Sequence, residues 1–236
     1  MSVSIEFTWK TTTSLGIHTG LARAGSVDRA VRTRKNGAGR ELPEIPGEAV
    51  KAVIREAAER MLRWQKENQD KEEPDRSVPT HPTLARLFAP QWVLPPANET
   101  NTSYLYRGAT VDVSTGPEPT RMEQSATSIN PATGAAANNT LRTIEVWKKG
   151  IRFKVNIRAE GGDWSDGSTD RKDLFFLLKA IACADTIGGG WGIGRGGIQL
   201  EDLTCKIDES EPVDLKGMLL GKTSRENVSA ILGEPA

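Results

Sequence analysis

A run of glycine near the end of the chain limits what this sequence can fold into. Seven of the ten residues from Gly188 to Gly197 are glycine, and Trp191, Ile193 and Arg195 interrupt them. Glycine has no side chain to bury, so this run cannot form part of a hydrophobic core. It permits turns at positive φ and close approach of the backbone to another group. We therefore expect a loop that either approaches a ligand or folds back with Trp191 in the core.

Several features of this run suit a polyanion. Free backbone N–H groups in a glycine-rich loop can bind phosphate oxygens, while Arg195 adds charge and Trp191 offers a ring on which a base can stack. The run also matches the dinucleotide fingerprint G-x-G-x-x-G from Gly192 to Gly197. That fingerprint needs a strand before it and a helix after it. Here the predicted helix precedes and the strand follows, which excludes the dinucleotide interpretation.

Hydrophobic periodicity predicts the elements around this loop. Residues 3–9 alternate between apolar and polar side chains, which indicates a half-buried strand. Apolar residues from Ala49 to Leu62 recur at spacings of three and four, which predicts an amphipathic helix opening at Ile45-Pro46-Gly47 and running to Gln65. The other predicted elements are strands over 105–113 and 198–207, a helix over 173–185, and strands over 140–147 and 151–159 joined as a hairpin by residues 148–150.

The order of these elements predicts an α+β fold. Strand, helix, strands, helix, strand is typical of the ferredoxin-like, RRM-like βαββαβ core. A chain of 236 residues suits one domain with insertions, and we expect a single domain over 1–236. Its predicted segments outside the core are a Gly/Arg-rich loop over 15–44, an irregular insertion over 66–104, a long excursion over 111–150 and a C-terminal tail over 208–236.

Charge is balanced over the chain but uneven along it. Lys and Arg number 31, as do Asp and Glu, so a polyanion must be bound by a local patch. Six basic residues and one acid, Asp28, lie between Arg23 and Arg40, and six more basic residues accompany Glu145 between residues 142 and 158. Such clusters indicate a phosphate-binding surface. Ordinary solvated loop charge is the alternative.

Composition excludes several other classes of protein. Two cysteines and two histidines argue against a disulfide scaffold or a Cys/His zinc site. His18 and His81 form no recognisable triad with a nucleophile, and Cys183 is expected in the core because its helix pattern is apolar. No apolar run reaches membrane length, and the first ten residues lack a secretory pattern. We expect a cytoplasmic protein without a membrane partner.

Three blocks of sequence carry a family resemblance. They are Leu15-Gly-Ile-His-Thr-Gly20 with Ser26-Val-Asp28 and Ile45-Pro-Gly47-Glu-Ala-Val-Lys51-Ala-Val-Ile-Arg55, then Ser128-Ile-Asn130-Pro-Ala-Thr133-Gly134 leading to Thr140-Leu-Arg142, and finally Ile187-Gly-Gly-Gly-Trp-Gly-Ile-Gly194-Arg195-Gly196. In this order the chain resembles the RAMP superfamily, and more narrowly the backbone subunit of type III or type III-derived CRISPR effector complexes.

The resemblance implies an RRM-like core with a projecting thumb β-hairpin, which corresponds to residues 111–150 here. Copies of such a subunit form a filament along a CRISPR RNA, beside other effector subunits, and position complementary target RNA. A sheet of this kind can bind single-stranded RNA, and Lys51 and Arg55 lie one helical turn apart, where they can contact successive phosphates. The expected RNA-binding residues are His18, Arg23, Arg29, Arg32, Lys51, Arg55, Thr133, Arg142, Trp191 and Arg195.

Asp28 corresponds to an Asp that, in type III relatives, cleaves target RNA with Mg²⁺ or another divalent cation. Cleavage needs a group near the 2′-hydroxyl and the scissile phosphate, together with positive charge. Asp28 beside Arg29 and Arg32 would supply both, and no separate metal-ligand cluster is expected. In the alternatives, Asp28 only pairs with an arginine in an inactive subunit served by another nuclease, or the chain is a stand-alone RAMP endoribonuclease that processes precursor CRISPR RNA.

Overall fold

The centre of the structure is a five-stranded antiparallel sheet. This computed structural model describes residues 2–19, 30–69, 82–88, 109–114, 119–128, 130, 132–135, 137, 141–160, 163–165, 168–189, 194–207 and 213–214. The strands are β1 (Ser2–Thr11), β2 (Thr33–Lys35), β3 (Glu41–Pro43), β4 (Ala109–Ser114), β5 (Arg121–Ala126), β6 (Arg142–Trp147), β7 (Arg152–Glu160), β8 (Ile198–Ile207) and β9 (Val213–Asp214). The helices are α1 (Gly47–Gln69), α2 (Pro82–Phe88) and α3 (Thr169–Cys183).

Strand β1 lies inside the sheet, whose order is β4-β7-β1-β8-β9. Phe7 pairs with Val155 of β7 on one side and with Leu203 of β8 on the other, both antiparallel. Two further sheets contain two strands each, β2 with β3 and β5 with β6. The predicted α+β class is therefore confirmed, and the antiparallel sheet with few helices is compatible with a ferredoxin-like core.

One face of the central sheet packs against the helices. The alternation predicted for the first strand is confirmed, because Val3, Ile5, Phe7 and Trp9 are at most 1% exposed. They share one hydrophobic cluster with the inward residues of α1, α3, β7 and β8, among them Val50, Ile54, Leu174, Leu177, Phe153 and Leu200. Burying large apolar side chains of this kind contributes roughly 1.5–3 kcal/mol each, so the sheet and two helices form the stable frame that carries the loops.

The predicted helices are confirmed, with shifted ends. Helix α1 begins at Gly47, as Ile45-Pro46-Gly47 indicates, and continues four residues beyond Gln65. Helix α3 begins four residues earlier than its apolar pattern because Ser168 caps it, accepting a hydrogen bond from the backbone N–H of Arg171 at 3.2 Å. The described part of the chain contains no helix long and apolar enough to cross a membrane.

The predicted hairpin between residues 140–147 and 151–159 is wrong. Strand β6 pairs with β5, as Glu145 with Glu123, whereas β7 pairs with β1 and β4. The connection changes sheets, because Lys148 donates its N–H to the Thr120 oxygen (2.8 Å) and Gly150 donates to the Thr11 oxygen (2.9 Å). The turn residues between two strands predict that the chain changes direction there. They do not predict which strand each of the two pairs with.

Strands β5 and β6 lie within the predicted 111–150 excursion, and β2 and β3 lie within the 15–44 segment. The β2–β3 turn is organised by Asn36, whose Oδ1 accepts from Ala38 N–H (3.0 Å) and Arg40 N–H (2.9 Å). Apart from 213–214, the predicted tail over 208–236 lies outside the described residues, as does most of the 66–104 insertion.

The expectation of a buried Cys183 is wrong. Cys183 is exposed at the end of α3, although partial burial of its thiol still raises its pKa. Cys205 of β8 is the buried cysteine, and loss of hydration there raises its pKa to about 11. An apolar pattern predicts which face of a helix is buried on average. A residue in the last turn, such as Cys183, can still be exposed.

Candidate nucleic-acid interface

Four segments meet where β1 ends, and we call this region the loop edge. It consists of the described residues among 12–19, 30–46, 145–150 and 186–197. The backbone hydrogen bonds that join it run from Thr12 N–H to Gly197 O (2.8 Å), from Leu15 N–H to Trp147 O (2.9 Å), from Arg32 N–H to Ile17 O (2.7 Å) and from Gly189 N–H to Gly16 O (3.0 Å). These bonds join parts of residues 15–20 and 187–196, from the first and third sequence blocks, to strand β6, which follows the second block.

Two of the described glycines in the terminal run lie in close contact with the backbone of other residues. Gly196 has φ +75°, and a Cβ placed there would lie 2.1 Å from the Ile187 oxygen. At Gly188, with φ +83°, a Cβ would lie 2.8 Å from the Gly16 oxygen. Both distances are far inside van der Waals contact, so no other residue fits without rearrangement. Close packing of the loop on the protein therefore accounts for these glycines, while Trp191 lies outside the described residues.

A short paired segment, which we call the neck, closes the excursion after β1. His18 and Val31 form an isolated antiparallel bridge, and Thr19 donates its N–H to the Ala30 oxygen at 3.1 Å. Residues 20–29, which include the predicted Arg23, Asp28 and Arg29, connect the two sides of the neck and lie outside the described residues. The neck therefore fixes where this segment begins and ends.

Glu145 of β6 contacts both sides of the neck. Its carboxylate Oε2 accepts the N–H of Val31 at 3.1 Å, and its backbone oxygen lies 3.0 Å from His18 Nε2. A carbonyl oxygen can only accept, so this contact requires the imidazole proton on Nε2. His18, predicted to bind RNA, is therefore in part a structural residue of the loop edge.

Glu145 is only 5% exposed, and a buried carboxylate needs a compensating partner. Arg121 of β5 supplies it, with Nη1 at 3.3 Å from Glu145 Oε1 and Nη2 at 2.7 Å from Glu41 Oε2. The same guanidinium carbon lies 5.6 Å from the ring centroid of Trp147, a cation–π distance. This network ties β3, β5 and β6 to the neck.

Sequence reasoning did not assign a role to Arg121 or Glu145. A signal existed, since Glu145 is the one acid among the basic residues of 142–158 and stands between Ile144 and Val146. A charged residue inside an apolar strand usually implies a buried partner. The position of that partner, in a strand about twenty residues earlier, was not readable from the pattern.

Of the other predicted residues, Arg32 and Arg195 lie at the loop edge. Arg32 continues the neck, and its Nε is 3.4 Å from Glu44 Oε2, while Arg195 is half-buried in the glycine-rich loop. Lys51 is half-buried in the first turns of α1, and the exposed Arg55 places Nε 2.9 Å from Glu59 Oε1. These two thus retain the one-turn spacing of the prediction, although Arg55 is already ion-paired.

Thr133 and Arg142 belong to the β5–β6 region instead. Arg142, at the start of β6, donates from Nη2 to Ser128 Oγ at 2.9 Å. Thr133 is exposed in a turn, where its Oγ1 accepts from Ala135 N–H at 3.4 Å. Both residues therefore organise the chain between β5 and β6, at the opposite end of β6 from Trp147. Trp191 and the residues of 20–29 receive no placement.

Two exposed lysines stand out at the loop edge. Lys148 and Lys149 connect β6 to β7, and within the described part of the chain neither side chain pairs with an acid. A cation without a neighbouring acid retains its full attraction for phosphate. The basic cluster of residues 142–158 includes both lysines, and both side chains are exposed in the fold.

The face of the central sheet opposite the helices, which we call the open face, differs from the loop edge. Its charges are largely matched, with Lys154 Nζ 2.7 Å from Glu6 Oε1 and Arg152 Nε 2.7 Å from Glu201 Oε2. Along β1, β7 and β8 its described side chains include no aromatic ring, because Phe7, Trp9 and Phe153 all point into the core. Base stacking on this face, the usual RRM mode, has no ring to use there.

The described residues do not build a site for a divalent cation. Among them, no group of three or more His, Cys, Asp or Glu side chains could hold a metal. Beside the neck, the carboxylate of Glu145 accepts the N–H of Val31 and is ion-paired with Arg121.

The family model of the RAMP superfamily matches residues 8–199, a span that runs from β1 through the glycine-rich loop into β8. No curated protein matches the chain. The matched span includes every segment of the loop edge.

Proposed function

The chain belongs to the RAMP superfamily, and from that premise we propose that it is a backbone subunit which binds CRISPR RNA along the loop edge. Family membership implies a CRISPR-associated RNA-binding function in general. Our finer proposal is that copies multimerise along the guide, contact other effector subunits of a type III or related complex, and position complementary target RNA.

The observation that carries this proposal is the contrast between two charged surfaces. The chain has no net charge, so attraction for RNA must be local. On the open face Lys10, Arg152 and Lys154 are ion-paired, although Arg158 and Lys206 there have no described acidic partner. At the loop edge Lys148 and Lys149 are adjacent and exposed, and neither has a described acidic partner. Phosphate contacts of this kind provide affinity without reading sequence, which suits a subunit that must accept any guide.

The topology supports the finer assignment of the core. In sheet order β4-β7-β1-β8, with α1 after β1 and α3 after β7, the elements follow a βαββαβ path. The β5–β6 pair is inserted between two strands of that sheet, within residues 111–150. We propose that this pair is the base of a thumb hairpin.

Neutralising the two free lysines should weaken guide binding in a salt-dependent way. We expect the variant Lys148→Gln/Lys149→Gln to lower the slope of log Kobs against log salt by about 1.4, since each phosphate contact on a single strand contributes roughly 0.7. Fluorescence anisotropy with a labelled guide RNA at several salt concentrations measures this slope. The matched control, Lys154→Gln/Lys206→Gln, removes the same charge from the open face and should leave the slope nearly unchanged. Equal slopes for the two double variants would contradict the assignment.

Assembly on the guide separates the proposal from its main alternative. A backbone subunit should elute in gel filtration as complexes whose mass grows with guide length, because each copy covers a fixed stretch of RNA. A stand-alone RAMP endoribonuclease should remain one copy per RNA and cut a precursor hairpin. A mass independent of guide length would reject the filament.

A further inference from the structure

We propose that Glu145 is a positioning residue that fastens the neck to β6 and thereby couples the β5–β6 pair to the RNA-binding loop edge. This inference rests on the proposed function of that edge. Glu145 accepts a hydrogen bond from each side of the neck. Its backbone oxygen accepts from His18 Nε2 at 3.0 Å, and its Oε2 accepts from Val31 N–H at 3.1 Å. The two sides of the neck thus share one anchor.

The two sides of the neck pair with each other without Glu145, but their position relative to β6 depends on it. Thr19 and Ala30 bond to each other at 3.1 Å, and Arg32 N–H donates to Ile17 O at 2.7 Å. These bonds keep the two sides together. Leu15 and Trp147 join the preceding residues to the end of β6, and the contacts of Glu145 join both sides of the neck itself to β6. The contacts of Glu145 therefore help to set where the neck lies relative to Lys148 and Lys149, which follow β6 directly.

Glu145 is ion-paired with the neighbouring strand β5. Its carboxylate is 3.3 Å from Arg121, and Arg121 in turn is 2.7 Å from Glu41 of β3. A carboxylate that is only 5% exposed needs such a compensating cation. Any displacement of β5 that moves Arg121 therefore weakens the hold of Glu145 on Val31. RNA contacts on the β5–β6 pair and on the neck become thermodynamically linked through this carboxylate.

The test compares two substitutions that separate size from charge. Glu145→Gln keeps an oxygen acceptor for Val31 and loses the negative charge, whereas Glu145→Ala loses both. We expect amide hydrogen exchange at Thr19, Val31 and Arg32 to accelerate by about tenfold or more in Glu145→Ala, and by less in Glu145→Gln, because a buried bond is lost. Core amides of β1 should keep their protection in both. Glu123→Gln, the exposed cross-strand neighbour of Glu145, is the matched control and should exchange like the parent.

Guide RNA affinity provides the second readout. Faster exchange confined to the neck, together with severalfold weaker guide binding in Glu145→Ala and recovery in Glu145→Gln, supports the inference. Unchanged exchange at Val31 overturns it, as does accelerated exchange with parental RNA affinity. Loss of protection in β1 as well would mean that Glu145 only stabilises the fold, and would also overturn it. If the parent protein binds no guide RNA, the proposed function fails, and the parental titration alone reveals this.

Discussion

Alanine at position 196 is expected to destabilise the protein by about 3 kcal/mol, the largest effect that we foresee for a loop substitution. Two costs add up. Gly196 has φ +75°, which an L-residue adopts at roughly 1–2 kcal/mol, and its new Cβ would lie 2.1 Å from the Ile187 oxygen. The backbone cannot easily move away, because Gly196 donates to Ser14 O and accepts from Ile187 N–H, both at 2.7 Å. Urea unfolding monitored by circular dichroism measures the loss.

Two other glycines separate these costs. Gly194 has φ +76° but nothing within 4 Å of a Cβ, so Gly194→Ala should cost only the conformational part, about 1 kcal/mol. Gly37 is exposed, has no positive φ and also has open space, so Gly37→Ala should be nearly neutral. Equal losses at positions 194 and 196 would contradict the close approach of the glycine-rich loop to Ile187. Guide binding should fall with Gly196→Ala, since this loop packs on the segment that leads into the neck.

Replacing Asp28 by Asn is expected to slow cleavage of complementary RNA by at least about 100-fold, because Asp28 is the residue that we propose for target cleavage. Asn has the size of Asp but cannot accept a proton at neutral pH, so it removes base chemistry and preserves shape. Asp28 stands three residues before Val31, on the segment that the neck anchors. Arg32, which follows Val31 in the neck, offers positive charge for the phosphate. Its guanidinium is half-exposed and lies 3.4 Å from the Glu44 carboxylate.

The measurement is single-turnover cleavage of end-labelled target RNA by guide-loaded protein, with Mg²⁺ and again with a chelator. Asp202→Asn, which changes an exposed acid of the open face, should cut at the parental rate. Parental cutting by Asp28→Asn would remove Asp28 from the chemistry. A parent protein that binds guide and target but cuts neither would support the inactive backbone subunit with a separate nuclease.

The sequence was a good guide wherever structure is set by local periodicity. The final strand was predicted at 198–207 and lies there, and the first helix opens at Gly47 as Ile45-Pro46-Gly47 indicates. Alternation and three-four spacing report burial of one face, which is a property of consecutive residues. The partner of β6 was missed because strand pairing joins residues far apart in the chain, and two neighbouring strands with a turn between them favoured the simpler hairpin.

The candidate site was predictable in part. The sequence predicted His18, Arg32 and Arg195 as RNA-binding residues, and the fold brings their segments together, while RNA binding by them stays a prediction. It could not predict which atoms the glycines approach, because glycine has no side chain from which a contact partner could be inferred. It also could not assign Arg121, whose importance comes entirely from the buried acid opposite it.

The place of β1 inside the sheet has a consequence for how the chain matures on the ribosome. Val3 pairs with Ala159 on one side and Ile207 on the other, so both neighbours of this early strand are synthesised long after it. Closing such long loops makes folding slow. Until β8 emerges, the apolar row of β1 lacks one of its two flanking strands, and a nascent chain with an unpaired inner strand is open to misassociation. Order in this protein is thus completed late in translation, and a chain that stops before the glycine-rich loop would lack the strand that finishes its centre.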